Sequence, residues 1–169
     1  MNPVPTKAFQ RTFGSKAMRL AWARYIRTQN REAKDYIGIN AFGRNLVPNL
    51  NELSARLLAG QFRPSLGAKF FKPKASGMQR TITVLRIEDA LVFQALANRA
   101  AVRVFDQLDE MSNSVFGSVL HPAVKKGQRA LDGDPDDLHF FQYYLPLYKR
   151  FADSVNEVVR QDKVTHRLE

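Results

Sequence analysis

The chain has 169 residues, 44% of them hydrophobic, enough for one domain with a core of its own, and no apolar run approaches the ~18 residues of a membrane span. It has no cysteine, which excludes disulfides and Cys-ligated zinc, and its start, MNPVPTKAFQRTF, lacks the central apolar stretch of a secretory signal, so the cytoplasm is the expected compartment. The net charge of +10 is uneven: residues 1–80 hold 15 Lys and Arg against three acids, residues 81–169 hold 11 against 13, and a positive block of this kind attracts polyanions, nucleic acid foremost.

Residues 1–14 show no clear period and read as a flexible arm. Ser15 is placed to cap a helix from Lys16 to about Arg31. On its wheel Met18, Trp22, Tyr25 and Ile26 form an apolar side, while Lys16, Arg24, Arg27 and Arg31 gather opposite as a stripe suited to a line of phosphates. Lys34 to Phe42 reads as a loop hinged at Gly38. A helix follows from about Val47 to Ala59, with Asn45 at its cap, Pro48 in its first turn and Gly60 just past its end. Leu46, Leu50, Leu53 and Leu57 give it an apolar face.

The run Lys69 to Lys74, the turn Ala75-Ser76-Gly77 and the β-branched run Thr81 to Val84 predict a hairpin. Pro73 has no N–H to give a ladder and suits an exposed edge. Such a hairpin projects Lys69, Lys72, Lys74 and Arg80. From Ile87 the period changes to 3.6, with Ile87, Leu91, Ala95, Asn98, Val102 and Phe105 on one face of a helix of about five turns. A basic hairpin is thus tied at once to a helix that anchors it.

Further on, Pro122 to Asp137 is polar and reads as a loop, its acidic run Asp132, Asp134, Asp136 and Asp137 lacking the ligand spacing of a calcium loop. Phe140 to Val159 reads as one or two helices, and the stripe Phe141, Tyr144, Leu145, Tyr148, Phe151 and Val155 is expected in the core. His121, His139 and His166 stand apart from one another in sequence, and no nucleophile elbow, P-loop or dinucleotide fingerprint is present.

Lys-Pro-Lys at 72–74, Ser76-Gly77, Arg80, Ile82-Thr83-Val84-Leu85, Asp89 and Val92-Phe93-Gln94-Ala95-Leu96 follow the order I-P-K-x-x-G-x-x-R-x-L-x-I-P…D…V-x-Q-A-L. This stretch resembles the fingers region of prokaryotic reverse transcriptases of the group II intron, retron and abortive-infection types. Lys72 departs from the aliphatic residue before the first proline, and Leu85 from the second proline. Upstream, Phe42, Asn45-Leu46, Leu50, Leu53, Leu57, Gly60 and Phe62-Arg63-Pro64 are similar to the family's preceding block. Asn113 to Ser118 resembles a degraded form of its S-Y-G-F-R-P-G loop, without the arginine and second glycine.

The resemblance implies an α+β fold: an N-terminal helical region (1–62), the fingers hairpin, central helix and loop (63–137), and helices leading toward a palm (138–169). It implies that Lys74 and Arg80 bind the triphosphate of an incoming nucleotide. Arg63, Lys69, Lys72 and Gln94, with Arg24, Arg27 and Arg31 of the basic stripe, become candidate nucleic-acid contacts. Asp89 is expected to position Arg86 or Arg80. The implied partners are an RNA template, DNA product, deoxynucleotide triphosphates and a structured non-coding RNA. The implied cofactor is Mg2+, whose aspartate ligands are absent from these residues: no aromatic-x-Asp-Asp occurs, and Asp136-Asp137 sits among Gly and Pro. The parent enzyme is then an RNA-directed DNA polymerase (a nucleotidyltransferase), with an anti-phage defence role favoured by the degraded loop, while this segment alone is expected to be inactive. The rival from another class is a non-catalytic basic RNA-binding module or subunit.

Overall fold

The computed structural model describes residues 6–27, 34–110 and 118–161. Within them the fold is α+β, mostly helical with one small antiparallel sheet. The order is α1 (Lys7–Phe13), α2 (Ser15–Arg27), α3 (Tyr36–Gly43), α4 (Leu46–Leu58), β1 (Ala68–Pro73), β2 (Gln79–Val84), α5 (Ile87–Glu110), two 3-10 segments (Pro122–Asp132, kinked at Gly127, and Pro135–Leu138) and α6 (Tyr144–Gln161). No described helix is long and apolar enough to cross a membrane.

Three stretches expected as loops are helical. The N-terminal arm contains α1, started by Thr6, whose hydroxyl accepts from Phe9 N at 3.3 Å, and fixed by burial of Thr12 and Phe13. The segment after Lys34 contains α3, where Asp35 caps by accepting from Gly38 N at 2.8 Å and Phe42 turns inward. The stretch Pro122 to Asp137, expected to be a solvated loop, is wound into the two 3-10 segments and buries Ala123, Val124, Ala130 and Asp137.

The long helix α5 carries two cores. Its first half sets Ile87, Leu91 and Ala95 against Phe13, Met18, Ala21, Phe42, Leu50, Leu53 and Leu57. Its second half sets Ala101 and Phe105 against Leu120, Val124 and Phe140. Between α4 and α5, Arg56 bridges Glu88 and Glu52, and Ser54 donates to the carbonyl of Phe13 at 2.6 Å, tying α4 to the end of α1. Removing a fully buried leucine from such a core, Leu53 or Leu91, costs about 3 kcal/mol or more.

One expectation is reversed at the C-terminal end. Of the α6 residues only Leu147 is an apolar side chain fully buried, and the aromatic stripe expected in the core faces outward: Tyr144, Leu145, Tyr148, Phe151 and Val155 are all exposed. Phe141, just before the helix, is exposed as well, paired with Leu120 in an isolated bridge.

Candidate nucleic-acid interface

The hairpin forms as the β-branched run requires. Its strands pair antiparallel with Lys69 opposite Thr83, Phe70 opposite Ile82, Phe71 opposite Thr81 and Lys72 opposite Arg80. The turn is closed by Lys74 N donating to Met78 O at 2.8 Å and Gly77 N donating to Lys74 O at 3.0 Å. Gly77 sits at φ +80°, where a side chain would be strained. At the base, a Cβ on Gly67 would lie 2.7 Å from Thr83 Cγ2, so the entering strand hugs the leaving one.

Alternation sorts the side chains. Phe70 and Lys72 share a face with Ile82 and Arg80, and Lys74 follows in the same phase at the turn. Lys69 and Phe71 lie on the other face with Thr81 and Thr83. Every residue of β1 is exposed, and no Asp or Glu occurs between residues 68 and 84. The side chains of Lys69, Lys74 and Arg80 make no ion pair or hydrogen bond among the described residues. No other described element packs on the hairpin to any extent, and Lys69, Lys74 and Arg80 are exposed. A cluster of this kind raises the local concentration of phosphate and can neutralise charge that develops on it.

The other candidates are placed differently. Arg63 is exposed, but its guanidinium donates to the carbonyls of Gly60 and Phe62 at 3.1 and 3.0 Å, which folds it onto its own turn. Arg27 donates to Ala23 O at 3.3 Å and lines a cavity of about 500 Å³ with Gln94, Tyr25, Phe93 and Phe140. Arg31 lies outside the described residues, as does most of the loop Asn113 to Ser118.

Arg24 corrects the expected basic stripe. It is fully buried, donating to Asn98 Oδ1 at 3.0 Å and to Ala123 O at 3.4 Å, with its guanidinium 5.7 Å from the centre of the Phe140 ring. Desolvation pushes its pKa down to about 10. It holds α2, α5 and the first 3-10 segment together and presents nothing to solvent. Gln94 is also buried and donates to the same Asn98 oxygen at 3.0 Å, one turn further along α5, rather than reaching outward. Asp89 holds neither Arg86 nor Arg80: its carboxylate accepts from Ser65 N at 3.2 Å and from the Ser65 hydroxyl, which pins the strand leading into the hairpin to the first turn of α5.

The acidic run is spent on structure. Asp137 is nearly buried and paired with Lys126 at 2.7 Å, which holds its pKa below the usual value. Asp132 pairs with Lys16 at 3.0 Å, and Asp134 caps Asp136 N at 2.9 Å. Among the described residues no group of three His, Cys, Asp or Glu is disposed to hold a metal ion.

Three exposed apolar side chains lie beside the cations: Phe70 and, more fully exposed, Phe71 on β1, and Met78 in the turn. Their signal was available, since an aromatic between lysines in a hairpin has no core to enter, and such a ring offers a surface on which a base can stack. No protein-family model, no curated protein and no solved structure matches the chain.

Proposed function

We propose that this chain is the fingers segment of an RNA-directed DNA polymerase, and that its hairpin grips the phosphates of template and incoming nucleotide. The observation that carries the reading is the hairpin itself: Lys72, Arg80 and Lys74 in one phase of an acid-free, solvent-facing ribbon. The sequence resemblance supplies the polymerase assignment, and the ribbon supplies a physical means for it. Lys74 offers a compact ammonium at the turn. Arg80 offers a planar fork that suits two phosphate oxygens at once. Phe71, on the opposite face with Lys69, offers a stacking surface for an unpaired base.

Within this reading α5 and Asp89 act as positioning groups. Asp89 fixes Ser65, Ser65 fixes the strand entering the hairpin, and the close approach at Gly67 fixes the hairpin's base. Holding cations in place before the anion arrives removes part of the ordering cost of binding. A defence polymerase is the host role we favour.

Titration of the chain with a single-stranded RNA over a range of salt tests the grip. Each phosphate contact contributes about 0.7 to the slope of log affinity against log salt. Lys74→Ala and Arg80→Ala are each expected to lower that slope by about one contact's worth. Slopes equal to that of the native chain would remove the hairpin from the interface.

A further inference from the structure

A cavity of about 500 Å³ opens where the end of α2, the first half of α5 and the chain running from His139 into α6 come together. Its size is that of a site for a small organic ligand. Five aromatic side chains line it: Tyr25, Phe93, Phe140, Phe141 and Tyr144. Phe93 is 66% exposed, so its ring is open to an incoming ligand and belongs to no core.

The charges of the lining have one sign. Arg27 and Lys34 contribute cations, and no Asp or Glu is among the described residues that line the cavity. Lys34 donates to Ile26 O at 3.1 Å and holds its ammonium 5.6 Å from the centre of the Tyr25 ring. Arg27 gives one N–H to Ala23 O at 3.3 Å, of the five that a guanidinium carries. A third cation stands behind the lining. Arg24 is fully buried and pairs with no carboxylate among the described residues, and its Nε has no hydrogen-bond partner there. Its guanidinium lies 5.7 Å from the centre of the Phe140 ring and shares the Asn98 oxygen with Gln94, and both Phe140 and Gln94 line the cavity. An uncompensated charge in a low-dielectric interior acts over a longer distance than a solvated one, so Arg24 favours an anion in the adjacent space.

We propose that the cavity binds one nucleotide unit, with its base against the aromatic side chains and its phosphate at Arg27 and Lys34. Aromatics alone would suit any apolar ligand and cations alone any phosphate; together they select a flat ring that carries an anion. The amides of Gln94 and Gln142 and the hydroxyls of Thr83 and Ser118 share the lining and can bond the edges of a base. A free nucleoside monophosphate and the terminal nucleotide of a strand offer the same chemistry. Neither Lys69, Lys72, Lys74 nor Arg80 lines the cavity, so the site does not rest on the polymerase reading or on the hairpin's grip.

Calorimetric titration of the chain with adenosine monophosphate, adenosine and ribose phosphate tests the site. Adenosine monophosphate is expected to bind once per chain, and each of the other two about tenfold more weakly, since each lacks one half of what the lining recognises. Phe93→Ala removes an exposed ring and Arg27→Gln a half-buried cation. Each is expected to weaken adenosine monophosphate about tenfold with an unchanged melting temperature. The double variant Lys74→Ala with Arg80→Ala is expected to bind it as the native chain does, which separates the cavity from the hairpin. A trinucleotide with a terminal phosphate identifies the source. Binding tighter than that of the monophosphate assigns the site to a strand end, equal or weaker binding assigns it to free nucleotide, and either depends on Phe93 and Arg27. No binding of adenosine monophosphate at millimolar concentration would overturn the proposal. So would ribose phosphate binding as tightly as the monophosphate, or an affinity that Phe93→Ala and Arg27→Gln leave intact.

Discussion

Lys72 and Arg80 stand directly opposite each other in the hairpin ladder, two cations on one face of a two-stranded ribbon. Like charges directly opposite weaken such a ladder by a few tenths of a kcal/mol to about 1 kcal/mol. An anion that comes between the two groups would offset that repulsion. Replacing Arg80 with glutamate separates the two consequences. Arg80→Glu is expected to leave the chain as stable as the native one or slightly more so, because Lys72 gains an opposite charge across the ladder, and to weaken RNA binding at least tenfold. Thermal melting and an RNA titration at one salt concentration check both halves. A variant that binds RNA as tightly as the native chain would show that the pair has another purpose.

Arg24 provides the control among the cations, since it is charged, central and hidden. Arg24→Met keeps the length of the side chain and removes the desolvated charge. Its stability is expected to stay within about 1 kcal/mol of the native chain, with an unchanged salt slope for RNA. Arg24→Ala leaves a cavity and is expected to cost about 3 kcal/mol. Denaturant melts and RNA titrations of the two variants check this, and a lowered salt slope in Arg24→Met would place the guanidinium at the nucleic acid after all.

Acid sensitivity is expected to begin at His121. Its Nδ1 accepts from Ala123 N at 3.3 Å and so caps the first 3-10 segment, and burial, aided by His139, holds its pKa below 6.5. The unfolded chain therefore takes up the proton first. Stability is full above pH 6.5 and falls as the pH drops below it and through the lowered value. Asp137 adds a second loss below its ordinary 3.8, because Lys126 holds its carboxyl down in the folded chain. His121→Asn keeps an acceptor at the cap without a titrating group. Melting temperature measured against pH should lose the upper step in this variant and keep the lower one.

The hairpin and α5 could be read from sequence because each repeats one rule over many residues: β-branched alternation around Gly77, then a 3.6-residue period from Ile87. Arg24 was misplaced because the wheel of α2 was centred on its large residues, Met18, Trp22 and Tyr25. The helix packs through those residues, but its packed arc extends on through Ala21, Ala17 and Leu20, and Arg24 lies among these three. Small residues permit close approach of helices, and the alanines were the signal. The helices α1 and α3 are short enough that one capping side chain each, Thr6 and Asp35, outweighs their weak periodicity. The face of α6 follows the pattern of a core helix yet is exposed among the described residues, because periodicity marks a face as apolar without saying what packs on it. The split of the hairpin cations between two faces depends on register, which the pairing of Lys72 with Arg80 defines.

The central claim is that the hairpin holds nucleotide as well as template. The most direct measurement is the affinity of the chain for a fluorescent RNA template annealed to a DNA primer, with and without the complementary deoxynucleotide triphosphate. The account predicts that the matching nucleotide tightens binding several-fold, that a mismatched one does so less, and that Lys74→Ala and Arg80→Ala each abolish the gain. An affinity indifferent to nucleotide, with salt-dependent RNA binding retained, would contradict the polymerase reading and leave a basic RNA-binding module in its place.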